Sequence, residues 1–234
     1  MEHKRLTLFA GHYGSGKTNI AVNYALHLAA EGKQVCIADL DIVNPYFRTA
    51  DSAKELEQAG VQLVSSRFAN SNVDLPALPA EAYRLVQDKT TYAVMDIGGD
   101  DRGAYALGRY VPSILEENNY RMVYVANCYR PLTRTAEDAL EVMQEIEAAC
   151  GLKFTHIINN SNLGSETTAQ IVLDSLDFIE KLSTISGLPL FLHTAKSDVA
   201  QALEGSLTPV FPLQLQEKYF DLPSQKPGNR PLWG

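Results

Sequence analysis

The sequence predicts a doubly wound α/β fold, in which helices cover both faces of a mainly parallel sheet. Short apolar runs, typical of buried parallel strands, alternate along the chain with longer segments whose apolar residues recur every three or four positions. The first strand-like run, residues 6–10, is joined to the first helix-like segment by a glycine-rich turn. Ligands of such folds bind beyond the carboxyl ends of the strands, so functional residues are expected where the predicted strands end.

Strands are predicted where apolar residues follow one another without a helical period. These runs are residues 6–10, 35–39, 61–65, 92–96, 122–127, 155–159 and 188–193. Helical periodicity predicts helices over residues 17–31, 48–59, 81–87, 133–149, 166–185 and 199–203. Glycines that can end a helix follow three of them, at Gly32, Gly60 and Gly187. The 234 residues suit one domain, predicted over residues 1–221, and the proline-containing residues 222–234 are expected to form an irregular tail.

The composition argues against several classes of protein. The net charge is −8 and the isoelectric point is about 5.1, whereas a general nucleic-acid binder needs a basic face. The three cysteines are scattered, which indicates neither a disulfide framework nor a thiolate metal site. The sequence has no apolar run that indicates a signal peptide or a membrane-spanning segment. We therefore expect a cytoplasmic protein that binds neither membranes nor nucleic acids.

The turn after the first strand, residues 11–18, reads GHYGSGKT and matches the phosphate-binding pattern G-x-x-x-x-G-K-T. Its three glycines let backbone N–H groups approach an anion at the start of a helix. Lys17 can reach the β- and γ-phosphates of a nucleotide, and the Thr18 hydroxyl can enter the coordination shell of Mg²⁺. A glycine-rich turn that binds nothing would account for the glycines but not for Lys17 and Thr18 at this spacing.

Carboxylates follow two of the predicted strands, at the edge where a ligand is expected. Asp39 and Asp41 lie at the end of the second strand, and Asp96 ends the strand over residues 92–96. Because Mg²⁺ keeps water ligands that nearby acids can hold, we assign Asp41 and Asp96 to the metal site, together with Thr18. Asp41 is also the candidate for orienting the attacking water. For Asp39, a capping role in the following turn is an equally good interpretation.

With these segments, the chain resembles the MinD/ParA group of P-loop ATPases, which includes the nitrogenase iron protein. The resemblance covers residues 11–23, 39–44, 96–99, 157–159 and 189–210. It implies Mg-ATP binding, slow hydrolysis that a partner protein controls, and nucleotide-dependent pairing of two subunits into a homodimer. Lys17 and Asp41 take the catalytic positions. The implied nucleotide contacts are Gly11, Gly14, Ser15, Gly16, Lys17, Thr18, Asn19 and, facing the adenine, Asn159.

The chain departs from this group at His12. Most members carry a lysine directly after the first glycine of the loop, where it contacts phosphate, across the dimer in several of them. Histidine is shorter and only partly charged near neutral pH, so His12 is a poor substitute for that lysine. The paired arrangement with a trans-acting lysine is therefore left open. In addition, no cysteine pair stands where the iron protein holds its metal.

The choice of base is predicted from a different stretch of the chain. Guanine-specific P-loop proteins use the motif N-K-x-D, whose aspartate accepts two hydrogens from the guanine edge. The nearest stretch here, residues 159–162, reads NNSN and lacks both the lysine and the aspartate. An amide offers one donor group and one acceptor group and fits that edge poorly, so ATP is favoured over GTP.

The sequence thus predicts a P-loop ATPase that binds Mg-ATP and acts as a nucleotide-dependent switch for an unidentified protein partner. Two alternatives stay open. A small-molecule kinase or an ATP-dependent ligase of the same fold, similar to dethiobiotin synthetase, would share these motifs and need an acceptor pocket beside the γ-phosphate. A regulatory module that binds the nucleotide without hydrolysing it would account for the missing lysine.

Overall fold

The computed structural model describes residues 2–40, 52–65, 85–98 and 101–215. Within these ranges, eight strands form one sheet in which all neighbouring strands run parallel. The strands are β1 (Leu6–Ala10), β2 (Val35–Leu40), β3 (Gln62–Ser65), β4 (Tyr92–Ile97), β5 (Tyr120–Ala126), β6 (His156–Asn159), β7 (Leu190–Lys196) and β8 (Val210–Leu213). Their order across the sheet is β3-β2-β4-β1-β5-β6-β7-β8.

Helices connect these strands because parallel neighbours need a crossover. Those of the described ranges are α1 (Lys17–Ala30), α2 (Ala53–Gln58), α3 (Asp101–Gly108), α4 (Val111–Glu117), α5 (Ala136–Cys150), α6 (Ala169–Leu173), α7 (Leu176–Ser186) and α8 (Ser197–Ala202). Leu6 and Leu8 of β1 share a core with α3, α4, α5 and α7, whereas Phe9 shares a second core with α1. Side chains alternate between the two faces of a strand, which accounts for this division. Helices therefore cover both faces of a parallel sheet, and the predicted fold class is confirmed.

The sequence signals miss α3, α4 and β8, each for a local reason. Gly103, Gly108 and Pro112 interrupt the helical period over α3 and α4, and such residues are typical of loops. Strand β8 contains Pro212, which lacks the N–H that a central strand needs. Because β8 lies at the edge of the described sheet, proline is tolerated there.

The single helix predicted over residues 166–185 is wrong, because the chain forms α6 and α7 with a break at Asp174 and Ser175. The Ser175 hydroxyl donates to the Val172 carbonyl over 2.6 Å and accepts from Asn159 Nδ2 over 2.8 Å. A serine that bonds to a nearby carbonyl competes with the helical hydrogen bonds. The break is thus accompanied by a contact between Ser175 and β6. Helical periodicity does not predict this contact.

Parts of other predictions lie outside the described ranges. These parts are Asp41, residues 48–51 and 81–84 of two predicted helices, Gly99, and the predicted tail over 222–234. The remainder of the two helices is present as α2 and as a helical turn over residues 85–87. No helix among the described residues is long and apolar enough to cross a lipid bilayer.

A buried ion pair anchors the start of β1. The guanidinium of Arg5 pairs through Nε and Nη2 with the carboxylate of Glu117. Its Nη1 also donates to the carbonyls of Leu85, Asp88 and Thr91 over 2.9, 3.0 and 2.9 Å. Arg5 therefore joins β1 to the end of α4 and to the chain that precedes β4.

We expect Arg5→Ala to lower the free energy of unfolding by about 3–5 kcal/mol, because it leaves a buried carboxylate without its main partner. Denaturant unfolding at neutral pH measures this loss. Arg109 is exposed, and Arg109→Ala is the matched control, with an expected change within about 0.5 kcal/mol. Equal stability of the two variants would contradict the assigned role.

The same pair predicts how this loss depends on pH. Burial raises the pKa of Glu117, but hydrogen bonds and charges from Arg5 and Lys89 outweigh burial and bring the pKa below its ordinary value of 4.5. Since the folded-state pKa is lowered, the contribution of Glu117 to stability is present above about pH 4.5 and is lost as the pH falls through the folded-state value. The difference between wild type and Arg5→Ala should therefore shrink in acid.

Candidate nucleotide-binding site

The P-loop, residues 11–18, is shaped by positions where a side chain has no room. Gly11 has a φ of 152°, and a Cβ built there would lie 2.6 Å from the carbonyl oxygen of Val125 in β5. Gly16 has a φ of 93°, and a Cβ there would overlap the Nδ2 atom of Asn160. Only glycine tolerates both the backbone conformation and the contact. The P-loop therefore lies directly against the carboxyl ends of β5 and β6.

Lys17 and Thr18 begin α1, and both are buried. Lys17 Nζ donates to the His12 carbonyl over 3.3 Å, which holds the ammonium group above the loop. Gly16 precedes the helix without a side-chain cap, and the first turn of α1 contains no acidic residue. The N–H groups and the positive end of the helix dipole thus face the loop without a neighbouring carboxylate from that turn. This arrangement is suited to an anion.

The other predicted contacts of the loop are also placed by the structure. Ser15 is buried, and its Oγ lies 3.3 Å from the position of a Cβ on Gly11. Gly14 has a φ of 75° and is exposed at the tip of the loop. Asn19 is the third residue of α1 and is half-buried, with its carbonyl accepting from Asn23. The loop glycines, Ser15, Lys17, Thr18 and Asn19 therefore belong to one continuous turn between β1 and the first turn of α1.

Two aspartates meet at the neighbouring strand ends. Asp39 of β2 and Asp96 of β4 are direct partners in the sheet register, and Asp96 also pairs with Phe9 of β1. Both are buried, with exposed fractions of 8% and 0%. Two residues earlier on each strand, the side chains of Ile37 and Val94 pack on the α1 side of the sheet. Because alternate residues of a strand lie on the same face of the sheet, Asp39 and Asp96 also face the α1 side.

The side chain of Asn159 forms hydrogen bonds within the protein. Its side chain is fully buried, and Nδ2 lies 2.8 Å from Ser175 Oγ and 3.2 Å from His193 Nδ1. Its Oδ1 accepts from the backbone N–H of Ser161 over 3.1 Å. In this conformation the carboxamide joins β6, β7 and the start of α7. A contact with adenine stays a prediction, and it requires the side chain to leave these partners.

The sequence patterns did not predict the role of Asn160, which directly follows β6. Its Nδ2 donates to the Ser15 carbonyl over 2.6 Å, and its Oδ1 accepts from Thr194 Oγ1 over 2.8 Å. The side chain is buried. Asn160 therefore connects the P-loop to β7 through β6. The signal that was available is a polar pair, Asn159 and Asn160, at the end of a predicted strand.

Arg130, on the chain that follows β5, also contacts the P-loop. Its Nε donates to the Gly14 carbonyl over 2.7 Å, so a second positive charge lies beside the loop. The strand-end position of Arg130 is readable from the sequence, but the contact is not. Arg134 is exposed, and the side chain of Arg102 is outside the described part of the chain.

His12 does not supply the missing positive charge. Burial lowers the pKa of His12 below its ordinary value of 6.5, and the charge of Lys17 lowers it further, against a hydrogen bond with the Tyr13 backbone. The lowered pKa favours the neutral form of the imidazole.

Solved structures share this arrangement of strands and helices. The chain is similar to cell division protein FtsY from Thermotoga maritima, with a TM-score of 0.50 and 18% identity over 79% of this chain and 59% of that one. Chloroplast FtsY from Physcomitrella patens gives a TM-score of 0.52 and 16% identity over 81% and 58%. The fold is that of the P-loop NTPases. The chain spans about three fifths of the length of these two proteins.

A third similar structure is the 54 kDa protein of the signal recognition particle from Aeropyrum pernix in complex with GDP. Its TM-score is 0.49, and its identity is 18% over 81% of this chain and 41% of that one. Neither a protein-family model nor a curated protein matches the sequence. The resemblance to the MinD/ParA group stays a prediction, since neither of the two FtsY structures is named as a member of that group.

The contact between Asn160 and Ser15 leads to a prediction about ligand binding. Asn160→Ala removes the hydrogen bond that holds the Ser15 carbonyl, which is expected to cost about 1 kcal/mol and to weaken nucleotide binding roughly fivefold. Calorimetric titration with ATP and Mg²⁺ measures the affinity. Asn162→Ala is the matched control, because Asn162 lies in the same turn and does not contact the P-loop. An equal effect of both substitutions would count against a specific role for Asn160.

Proposed function

We propose that the protein is a P-loop ATPase that binds Mg-ATP and acts as a nucleotide-dependent switch for a protein partner. The observation that carries this proposal is the convergence of the P-loop with two buried aspartates. The loop lies at the start of α1, and Asp39 and Asp96 are the second-last residues of β2 and β4, the two strands on one side of β1. This is the arrangement that binding of a metal-bound polyphosphate requires.

The P-loop provides the fit for phosphate. Because Gly11 and Gly16 carry no Cβ, the backbone N–H groups can surround an anion at a distance that side chains would prevent. Lys17 would contact the β- and γ-phosphates, with Ser15 and Asn19 beside them. Mg²⁺, when bound, would neutralise charge on the phosphate oxygens. Thr18 would be its ligand, and Asp96 would hold water in its coordination shell.

Asp41 is proposed to orient the attacking water. It directly follows Leu40, the last residue of β2, in the sequence. Phosphoryl transfer depends mainly on positioning and on stabilisation of charge, so a carboxylate that orients water is sufficient for a slow hydrolase. The neutral His12 is consistent with slow hydrolysis in the absence of a partner. Arg130, bonded to Gly14, brings a fixed positive charge to the loop that His12 does not.

Adenine is proposed as the base because the stretch after β6 lacks a guanine-specific carboxylate. Residues 159–162 read NNSN, and the side chains of Asn159, Asn160 and Asn162 are engaged in hydrogen bonds within the protein. A guanine edge needs an acceptor that takes two hydrogens, which a neutral amide does not provide. The fold itself does not determine the base, so GTP is the competing ligand in the test.

Binding is tested by titrating wild type, Lys17→Ala and Lys54→Ala with ATP and with GTP, each with Mg²⁺. Loss of the Lys17 charge should weaken ATP binding by about 2 kcal/mol, roughly thirtyfold, because a charge-assisted hydrogen bond is lost. Lys54 is an exposed residue of α2, and its substitution should leave the affinity unchanged. Unchanged ATP affinity in folded Lys17→Ala would overturn the phosphate-loop assignment, and tighter binding of GTP would overturn the choice of base.

Turnover is tested by single-turnover hydrolysis of ATP by wild type and Asp41→Asn. Loss of the carboxylate should slow hydrolysis about a hundredfold or more while ATP stays bound, because the residue acts on the attacking water. Asp177→Asn, on an exposed position of α7, is the control. Equal rates in wild type and Asp41→Asn would remove Asp41 from the mechanism. Binding without hydrolysis by wild type, with a captured partner present, would identify a regulatory module instead.

A further inference from the structure

Three side chains of types that bind metal ions lie near the amino-terminal end of β1, whereas the P-loop follows its carboxyl end. His3 precedes β1, His27 is in the last turn of α1, and Glu31 follows that helix directly. One ligand atom from each of these three residues lies within 4.8 Å of the other two. His27 lies ten positions after Lys17 on α1, which is about 15 Å along the helix. The group is therefore distinct from the nucleotide site.

The three side chains converge on one another through their ligand atoms. His3 Nε2 lies 3.0 Å from one oxygen of the Glu31 carboxylate. His27 Nε2 lies 3.2 Å from the other oxygen. Each of these two distances is similar to the separation of two ligands around a tetrahedral ion at roughly 2.0–2.2 Å. The two distances run to different carboxylate oxygens, and one ligand atom from each residue lies within 4.8 Å of the other two, so binding of an ion requires the side chains to move.

Packing fixes the orientation of both imidazoles. His3 Nδ1 lies 3.1 Å from the hydroxyl of Tyr24, and Tyr24 is buried with its ring 5.5 Å from that of Phe9. The ring of His27 packs edge-on against Phe211 at 5.5 Å. A hydrogen bond to the second ring nitrogen orients a histidine ligand and fixes its tautomer. Tyr24 provides that contact for His3 and leaves Nε2 directed towards Glu31.

An ion can enter this group from solvent. The side chains of His27 and Glu31 are 39% and 38% exposed, whereas that of His3 is 8% exposed. One ligand is therefore fixed in the protein, and two face the water that would deliver the ion. An open position for a water ligand follows from the same exposure.

We propose that His3, His27 and Glu31 form a binding site for a divalent transition metal, with Zn²⁺ as the ion that the site fits best. Two imidazole nitrogens and one carboxylate oxygen, with water as the fourth ligand, satisfy the tetrahedral preference of Zn²⁺. This donor set is too rich in nitrogen for Mg²⁺ or Ca²⁺, which prefer oxygen. The proposal does not depend on the proposed ATPase function.

The charges around the group limit the affinity. Arg121 is buried nearby, with its guanidinium 4.0 Å from the centre of the Phe191 ring, and its charge acts on Tyr24. A positive charge near three ligands, of which one is anionic, weakens binding of a cation. We therefore expect binding weaker than that of a closed structural site with four protein ligands.

The alternative is a hydrogen-bonded group in which both Nε2–H groups donate to the Glu31 carboxylate. The two arrangements differ in the tautomer of His3. Without a metal, Nε2 carries the proton and Nδ1 accepts from the Tyr24 hydroxyl. With a metal, Nε2 binds the ion and Nδ1–H donates to that hydroxyl.

The test is titration of the 234-residue chain with Zn²⁺ alone, after treatment with a chelator, removal of any purification tag and in the absence of nucleotide. We expect one Zn²⁺ per chain by calorimetry and by competition with a chromogenic chelator. His27→Ala and Glu31→Gln should each weaken binding about tenfold or more, since each removes one ligand. His156→Ala is the control, because His156 lies at the start of β6 and its Nδ1 contacts Thr155 instead of this group.

Substitution with Co²⁺ provides an independent measurement, because its visible absorption reports tetrahedral coordination, and this absorption should be missing from both ligand variants. Circular dichroism in the absence of metal checks that the variants are folded, and Glu31→Gln retains the shape of the side chain if His27→Ala does not fold. No binding of Zn²⁺ by wild type, or unchanged affinity in both ligand variants, would overturn the proposal and identify a hydrogen-bonded group only.

Discussion

The site depends on one steric constraint, which is the lack of room for a side chain at Gly11 and Gly16. At Gly11 the backbone meets the Val125 carbonyl, and at Gly16 it meets the Asn160 side chain. Because both contacts come from neighbouring strands, the P-loop is fixed by the sheet as well as by its own hydrogen bonds. Its N–H groups are thereby arranged before any ligand binds, and less ordering is required on binding.

Hydrogen bonds connect the P-loop to distant parts of the sheet. Asn160 bonds Ser15 on one side and Thr194 of β7 on the other. A displacement of the loop backbone must therefore stretch these bonds or move the end of β6 with it. Arg130 adds a similar connection to the chain after β5. On the proposed switch function, these are the contacts through which a nucleotide-dependent movement reaches surfaces that a partner recognises.

Local patterns predicted the parts of the structure that depend on local physics. The buried strands, the start of α1 and the P-loop follow from apolar runs, helical period and glycine spacing. Contacts between distant residues could not be predicted in this way. Asn160 and Ser15 are 145 positions apart, and Arg130 and Gly14 are 116 apart. The break at Ser175 has the same origin, because its partner Asn159 lies on β6.

The positive charges at the loop account for binding of phosphate more directly than for the rate of hydrolysis. Lys17 and Arg130 are the basic side chains at the loop, and the start of α1 adds its dipole, so the attraction for phosphate is provided within the chain. His12 is neutral and adds no charge to it. Additional positive charge raises the rate of hydrolysis most when it stabilises the transition state of phosphoryl transfer. On the proposed function, we infer that a partner providing such charge would raise the rate of hydrolysis more than the affinity for the nucleotide.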